Sequence, residues 1–328
     1  MRALVLTNMY PSPERPALGS FVRDQVEALR ALPGLDVEVL AFAPGGARAY
    51  AEAAREVRSR YRGERFDVVH AHFGLTAWPA LLAPARFRAV TLHGTDLSHP
   101  RSRVITRAAL RCYDLIATVS STLARELPRG AVSRRAVVLP CGVDTGRFRP
   151  ISRTEARAAL GLNPDGPYLL FPADPRRAEK RHDRALAVAG DVPLLTLGDV
   201  DPLHVPTWVN AANAVLVPSE REGFGLAVLE ALACEVPVLA TPVGIAPLAL
   251  SGIAGSVCSA FDAGTWRAAV APHLADPDPR VDGRGRAELF SAARMAARVA
   301  AAWHGLPYGR SPILARLSDI WPMQDRES

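Results

Sequence analysis

The sequence is poor in lysine, cysteine and aromatic residues. Among 328 residues, Lys180 is the single lysine beside 38 arginines. A high-GC genome is the simplest reading of the arginine excess, whereas the exception needs its own reason. The four cysteines, Cys112, Cys141, Cys234 and Cys258, show no C-x-x-C spacing. This argues against a disulfide framework and a cysteine zinc site, and fits a reducing cytoplasm. Aromatic residues make up 6%, and no basic motif is interleaved with them, so nucleic acid is not an expected partner. The N-terminal MRALVLTNMY lacks the long apolar core and small-residue cleavage site of a signal peptide. One uncharged stretch, Val236 to Phe261, is long enough to span a bilayer. Pro237, Pro242, Pro247, Gly244, Gly252 and Gly255 interrupt it, so it reads as short strands and turns rather than a membrane helix.

What remains is a globular composition, 49% hydrophobic and 22% charged, at a length that suggests about two domains. The net charge of +6 is uneven: residues 1–150 carry +9 and residues 151–328 carry −3. A basic half beside an acidic half suggests different partners for each. Arg103, Arg107 and Arg111 fall at helical spacing, as do Arg55, Arg58 and Arg62. Such rows are either a solvated face or an attraction to anionic lipid or a polyanionic acceptor.

Apolar strand patterns alternate with helical ones. RALVLTNMY, VEVLAFA, FDVVHAH, AVTLHG, LIATVS and AVVLP read as strands, with helices such as Ser20 to Ala31 and AYAEAAREVRSRY between them. Val/Ile/Leu runs bounded by turn signals suit strands buried on both faces of a parallel sheet. The pattern restarts after Pro150. TEARAALGL, AEKRHDRALAVAG and GLAVLEALACE read as helices; YLLFPAD, PLLTLG, AVLVPS and PVLAT read as strands. The expected fold is α/β: two facing, doubly wound, Rossmann-like domains with a cleft between them. The first spans 1–150 and the second 151–302, joined by a linker at Gly142 to Ser152. A tail, 303–328, is expected to cross back to the first domain, with ILARLSDIW as the crossing helix.

Most of the chemical information lies in PSEREGFGLAVLEALACEVPVLAT. Glu222 falls in the loop after AVLVPS. Gly223 and Gly225 permit close backbone approach to a ligand. A helix starting near Leu226 offers its N–H groups to an anion, and Glu230 lies about one turn inside it. Two surface carboxylates beside a capped helix would read the same way on residue type alone.

The E-x7-E spacing in P-S-x-x-E-G-F-G-L-x-x-L-E-A-L-A-x-x-x-P-V resembles the signature of the family-4 retaining glycosyltransferases. YPSPERPALGSFVRDQVEAL resembles their glycine loop and first helix. DVVHAHF, TLHGTDL, ATVSS and LPCGVDTGRFRP resemble further landmarks in the same order, and FPADPRRAEKRHDRAL resembles the donor-phosphate loop. The resemblance runs from residue 4 to about residue 260.

It implies a GT-B fold and metal-independent, retaining hexosyl transfer from a nucleotide diphosphate sugar, UDP- or GDP-linked, with no cofactor. The acceptor is unidentified; a cell-envelope glycan or a lipid-linked molecule suits the basic half. By the resemblance, Glu230 bonds the ribose hydroxyls, Glu222 faces the donor sugar, and Gly223, Phe224, Gly225 and Leu226 give backbone contacts. Lys180 clamps the diphosphate with Arg176 or Arg177. Gly19 admits the diphosphate, and His93 lies near the anomeric centre. His70 and His72 share one strand face but lack further metal ligands, so no metal site is expected. A peripheral contact with the inner face of an anionic membrane is a further expectation.

The chain departs from the family at several places. FPAD replaces the usual V-G-R strand end before the lysine. The segment DVDPLHVPTWVNAAN is short. Asn213 stands where Asp is usual, and Cys141 where Asn is common. Two alternatives stay open: a GT-B sugar-nucleotide 2-epimerase, or a catalytically silent module that binds a nucleotide sugar.

Overall fold

The computed structural model describes residues 1–130, 132–198 and 200–305. The chain divides into two compact units. Among the described residues, one comprises Met1–Gly142 with residues 292–305, and the other Val143–Ser291.

The first unit carries six strands: β1 (Arg2–Thr7), β2 (Asp36–Ala41), β3 (Phe66–His72), β4 (Ala85–Leu92), β5 (Leu115–Thr118) and β6 (Ala136–Val138). Every pairing is parallel, in the order β2-β1-β3-β4-β5-β6. Interior strand β1 is buried from Ala3 to Thr7, as a strand covered on both faces must be. Val22, Val26 and Leu29 of the helix Ser20–Arg30 pack on the sheet together with Met295, Ala296, Val299 and Trp303 of the helix Ala292–Trp303.

The second unit carries β7 (Leu169–Phe171), β8 (Leu194–Thr196), β9 (Ala214–Val217), β10 (Val238–Ala240) and β11 (Val257–Cys258), again all parallel, in the order β11-β10-β9-β7-β8. Ala185 and Val188 of the helix His182–Ala189 and Trp266 and Val270 of the helix Ala263–Ala275 close one core there.

Two features differ from the expected layout, and one expectation falls outside the described residues. The helix Ala292–Trp303, grouped with the second domain in the sequence, packs on the helix Ser20–Arg30 of the first unit. The expected crossing helix ILARLSDIW lies outside the described residues. AEKRHDRALAVAG is not one helix: Arg181 adopts the left-handed conformation (φ 59°) and splits it into a 3-10 turn, Ala178–Lys180, and the helix His182–Ala189. Arg181 bridges Asp183 and Glu220, contacts that hold the break open.

In both sheets the chain reverses its winding direction beside the first strand of the unit, between β1 and β3 and between β7 and β9. Loops leaving the carboxyl ends of such strand pairs diverge and leave room for a ligand.

Candidate active site

In the second unit the loop after β7 and the loop after β9 flank that divergence. They are stitched together: Glu220 N donates to Glu179 O at 2.9 Å, and Arg184 reaches Pro218 O at 3.2 Å. Lys180 Nζ sits 2.7 and 2.6 Å from the two oxygens of Glu222. Both side chains are largely withdrawn from water, 15% and 8% exposed. Ser219 Oγ donates to the same carboxylate at 2.7 Å. The break at Arg181 is what turns Lys180 off the helix surface and toward Glu222.

Gly223, Phe224 and Gly225 follow in the loop. Gly225 lies at φ 94° and Leu226 opens the helix Leu226–Ala233. Its N-terminal N–H groups supply partial positive charge. Glu230 stands one turn further on, half-buried. The far end of this helix is closed by arginines: Arg284 donates to Ala233 O at 2.9 Å and Arg280 to Cys234 O at 2.9 Å. Cations at a helix C-terminus favour the same dipole.

Arg176 and Arg177 are each tied locally. Arg176 binds both oxygens of Asp174, which holds that carboxyl below the usual range. Arg177 binds Glu179 at 2.7 Å. Arg176 borders an open groove of about 550 Å³ at the carboxyl ends of β7 and β8, lined also by Thr196 and Gly198.

Two residues missed in the sequence shape this loop. Thr241 Oγ1 donates to Ser219 O at 2.5 Å. Gly244 lies against the loop at φ 60°, where an added Cβ would fall 2.3 Å from Phe224 O. The Gly and Thr of LATPVG carry no motif of their own; only the fold puts them behind Glu222.

In the first unit, His93 follows β4 and is fixed by its main chain. Its N–H donates to Asp96 Oδ2 at 2.7 Å, and Asp96 Oδ1 accepts from Gly74 N at 2.6 Å. One buried carboxylate thus ties the loops after β3 and β4; burial raises its pKa, and these bonds oppose the rise. Phe21 and Phe73 pack on the His93 ring at 5.0 and 4.5 Å between centroids. Gly19 precedes the helix Ser20–Arg30 at φ 65°, and a Cβ there would fall 2.1 Å from Met9 O. The glycine is therefore required by backbone packing alone. Among the described residues no group of three or more His, Cys, Asp or Glu is arranged to hold a metal ion.

The two departures at Asn213 and Cys141 are structural. Asn213 Oδ1 accepts from Tyr168 N and Arg157, while its Nδ2 donates to His273 O and Asp276 O. Cys141 is buried, which pushes its thiol up to about 12. Of the arginine rows, Arg62 lies beyond the helix Ala47–Arg60, and Arg111 falls in a 3-10 turn after the helix Pro100–Ala109.

Two parallel α/β units, each with a reversal beside its first strand, are the architecture of the GT-B class. Structures with this fold superpose over nearly the whole chain. Sucrose-phosphate synthase from Thermosynechococcus elongatus has a TM-score of 0.70 at 20% identity, over 93% of this chain and 99% of that one. Anabaena HepE, solved with UDP, has a TM-score of 0.66 at 14% identity, over 93% and 100%. The family described as Glycosyltransferase Family 4 matches residues 18–147, and Glycosyl transferases group 1 matches residues 171–276. A protein of Mycolicibacterium paratuberculosis named D-inositol 3-phosphate glycosyltransferase is 30% identical over 338 positions, 86% of this chain and 74% of its own. One of the same name from Catenulispora acidiphila is 27% identical over 344 positions, 87% and 79%. The chain belongs to the group 1 glycosyltransferases.

Proposed function

We propose that the protein transfers a hexosyl group, with retention, from a UDP- or GDP-linked sugar to a hydroxyl of an anionic acceptor. The pairing of Lys180 with Glu222 before the helix Leu226–Ala233 carries this reading. A diphosphate needs compact positive charge and N–H donors, and both stand there. Lys180 and Arg176 offset the charge growing on the leaving phosphate. Glu222 faces the sugar hydroxyls, Glu230 the ribose, and Gly223 to Leu226 the phosphates and sugar through their backbone. His93, in the first unit, serves the transferred sugar. HepE has been solved with UDP-glucose, which supports a donor of that class.

No protein nucleophile is assigned. The bond from the anomeric carbon to the leaving phosphate oxygen breaks as the bond to the acceptor oxygen forms on the same face. The acceptor's proton passes to that phosphate oxygen. A bound metal is not required if side-chain cations carry the electrostatics, so EDTA should leave turnover unchanged. The basic charge of residues 1–150 and the naming of two relatives for inositol 3-phosphate both favour a phosphate-bearing acceptor.

A nucleotide-sugar panel read by thermal shift identifies the donor. Glu222→Ala and Lys180→Ala should each lower kcat/KM at least about a hundredfold with the fold intact. Near-wild-type turnover in both variants would sink the site. NMR of the donor alone separates transfer from 2-epimerisation, and donor binding without turnover on any acceptor identifies a silent module.

A peripheral contact with anionic lipid belongs to the same reading. Trp78, Leu82, Val104 and Ile105 are exposed, Val104 at 68%. The Trp78 indole donates to Ile105 O at 3.2 Å, which sets Trp78 beside the helix Pro100–Ala109 that carries Val104 and Ile105. Arg101, Arg103 and Arg107 on the same helix and Arg111 in the turn after it are all exposed. Among the described residues no helix is long and apolar enough to cross a membrane. Apolar side chains flanked by arginine suit the headgroup boundary. Co-sedimentation with vesicles containing phosphatidylglycerol, lost with pure phosphatidylcholine and in Val104→Asp, is expected. Equal recovery in all three would refute the contact.

A further inference from the structure

Behind His93 stands a line of hydrogen bonds that the site above does not use. Gln25 Nε2 is 3.2 Å from His72 Nε2, and His72 Nδ1 is 3.0 Å from His93 Nε2. Gln25 and His72 are buried. His70, His72 and His93 stack, with centroids 4.7 and 5.3 Å apart and planes within about 25°. Beyond them the Trp303 indole donates to His70 Nδ1 at 3.1 Å, and His70 Nε2 lies 2.7 Å from Thr91 Oγ1.

The chemistry of each group sets the direction. An amide nitrogen donates and cannot accept, so His72 Nε2 is an acceptor. Burial drives His72 down to about 3, so it is neutral at pH 7 and carries one proton. That proton is on Nδ1 and is donated to His93 Nε2. His93, also kept neutral by burial, must then carry its own proton on Nδ1.

We propose that Gln25 and His72 are positioning residues that fix His93 as the Nδ1–H tautomer, so that His93 acts as a hydrogen-bond donor to a substrate oxygen and not as a base. The consequence for turnover rests on the glycosyltransferase reading of His93; the tautomer does not. Both nitrogens of His93 are then committed: Nε2 accepts from His72, and Nδ1 holds a proton it can share but not exchange for another. Trp303 fixes His70 in the opposite sense, with its proton on Nε2 toward Thr91. The ladder therefore passes no proton along its length. It is a rigid scaffold that also holds the His93 ring in plane.

Long-range proton–nitrogen correlation spectra of the full chain with ring-labelled histidine report each tautomer at pH 7. The expected result is Nδ1–H for His72 and His93 and Nε2–H for His70. His93 found as Nε2–H, or as a cation, overturns the proposal. Two variants of equal shape and opposite polarity test the consequence. His72→Asn places an amide donor where Nδ1 stood and should keep His93 as Nδ1–H. His72→Asp places an acceptor there and should move the His93 proton to Nε2. Turnover in His72→Asp should fall at least about tenfold below that in His72→Asn, with donor KM within about threefold. Equal kcat in the two variants, with the tautomers inverted as expected, overturns the catalytic role. His93→Ala with full turnover would instead remove His93 from the active site and leave the tautomer result standing.

Discussion

Lys180 holds both oxygens of Glu222, at 2.7 and 2.6 Å, with a single nitrogen. A diphosphate arriving at this loop must compete with that carboxylate for the ammonium. Glu222→Gln keeps the shape and the Ser219 contact but removes the competing charge. Affinity for a nucleoside diphosphate should therefore rise by about 1 kcal/mol, roughly fivefold, while transfer falls because the sugar faces a neutral amide in place of a carboxylate. Isothermal titration calorimetry measures the first effect. Weaker diphosphate binding would show that Lys180 does not face the phosphates.

Gly19 separates two explanations. If its role were only to admit a ligand, Gly19→Ala would raise donor KM and leave stability unchanged. Its φ of 65° and the 2.1 Å approach to Met9 O say otherwise. The left-handed conformation alone costs a residue with Cβ about 1–2 kcal/mol, and displacing the Met9 carbonyl adds to it. The melting temperature of Gly19→Ala should drop by at least about 4 °C, measured by calorimetry without ligand.

The sheets and the loop at Glu222 were legible in sequence because their signals are local. Buried Val/Ile/Leu runs mark strands, and Gly-Phe-Gly before an apolar run marks a helix start at Leu226. The break at Arg181 was not legible, because arginine has no left-handed preference and its partner Glu220 lies 39 residues away. The return of Ala292–Trp303 to the first unit was hidden for a similar reason. An amphipathic face shows that a helix is covered but not by which sheet. The His72–His93 bond was half visible: alternation put His70 and His72 on one strand face, but the register of β3 with β4 sets the distance.

Asn213 stands where the family favours Asp, and its four hydrogen bonds explain it. A carboxylate could keep Arg157 and Tyr168 N but could not donate to His273 O and Asp276 O. Two carbonyls would be stranded, at about 1–3 kcal/mol each, offset in part by a stronger pair with Arg157. Asn213→Asp should lose about 1–3 kcal/mol in urea unfolding, with kcat unchanged at low temperature. Equal stability would mean that those carbonyls find other partners.

Burial lowers His70, His72 and His93 below the ordinary 6.5, His72 to about 3. The unfolded chain therefore takes up protons first as pH falls below about 6.5, and the folded chain does so only near its lowered values. Their stabilisation is fully present above pH 6.5 and drains away below it. Each ring adds a slope of up to about 1.4 kcal/mol per pH unit. Carboxylates such as Asp183, held down to about 2 by Arg181, act only at lower pH. Urea unfolding at pH 7.5, 6.5 and 5.5 should show the loss, and His72→Asn should make it shallower. A flat profile in the parent chain would mean that these rings titrate normally.

The lone lysine can be tested against the arginines around it. Arg157 spreads over Ala211 O, Pro164 O and Asn213 Oδ1; Arg280 over Asn210 Oδ1, Cys234 O and Ile151 O; Arg284 over Phe148 O, Ala233 O and Thr145 O. Each uses the planar fork to satisfy several carbonyls or amides at once. Lys180 does something else: one compact ammonium meets both oxygens of one carboxylate in a nearly closed space. A guanidinium there would hold Glu222 side-on and stand further from an incoming phosphate. Lys180→Arg should keep its melting temperature within about 3 °C but lose at least about tenfold in kcat/KM, or 1.4 kcal/mol. Full activity would mean that position 180 needs only positive charge, and would leave the single lysine to chance.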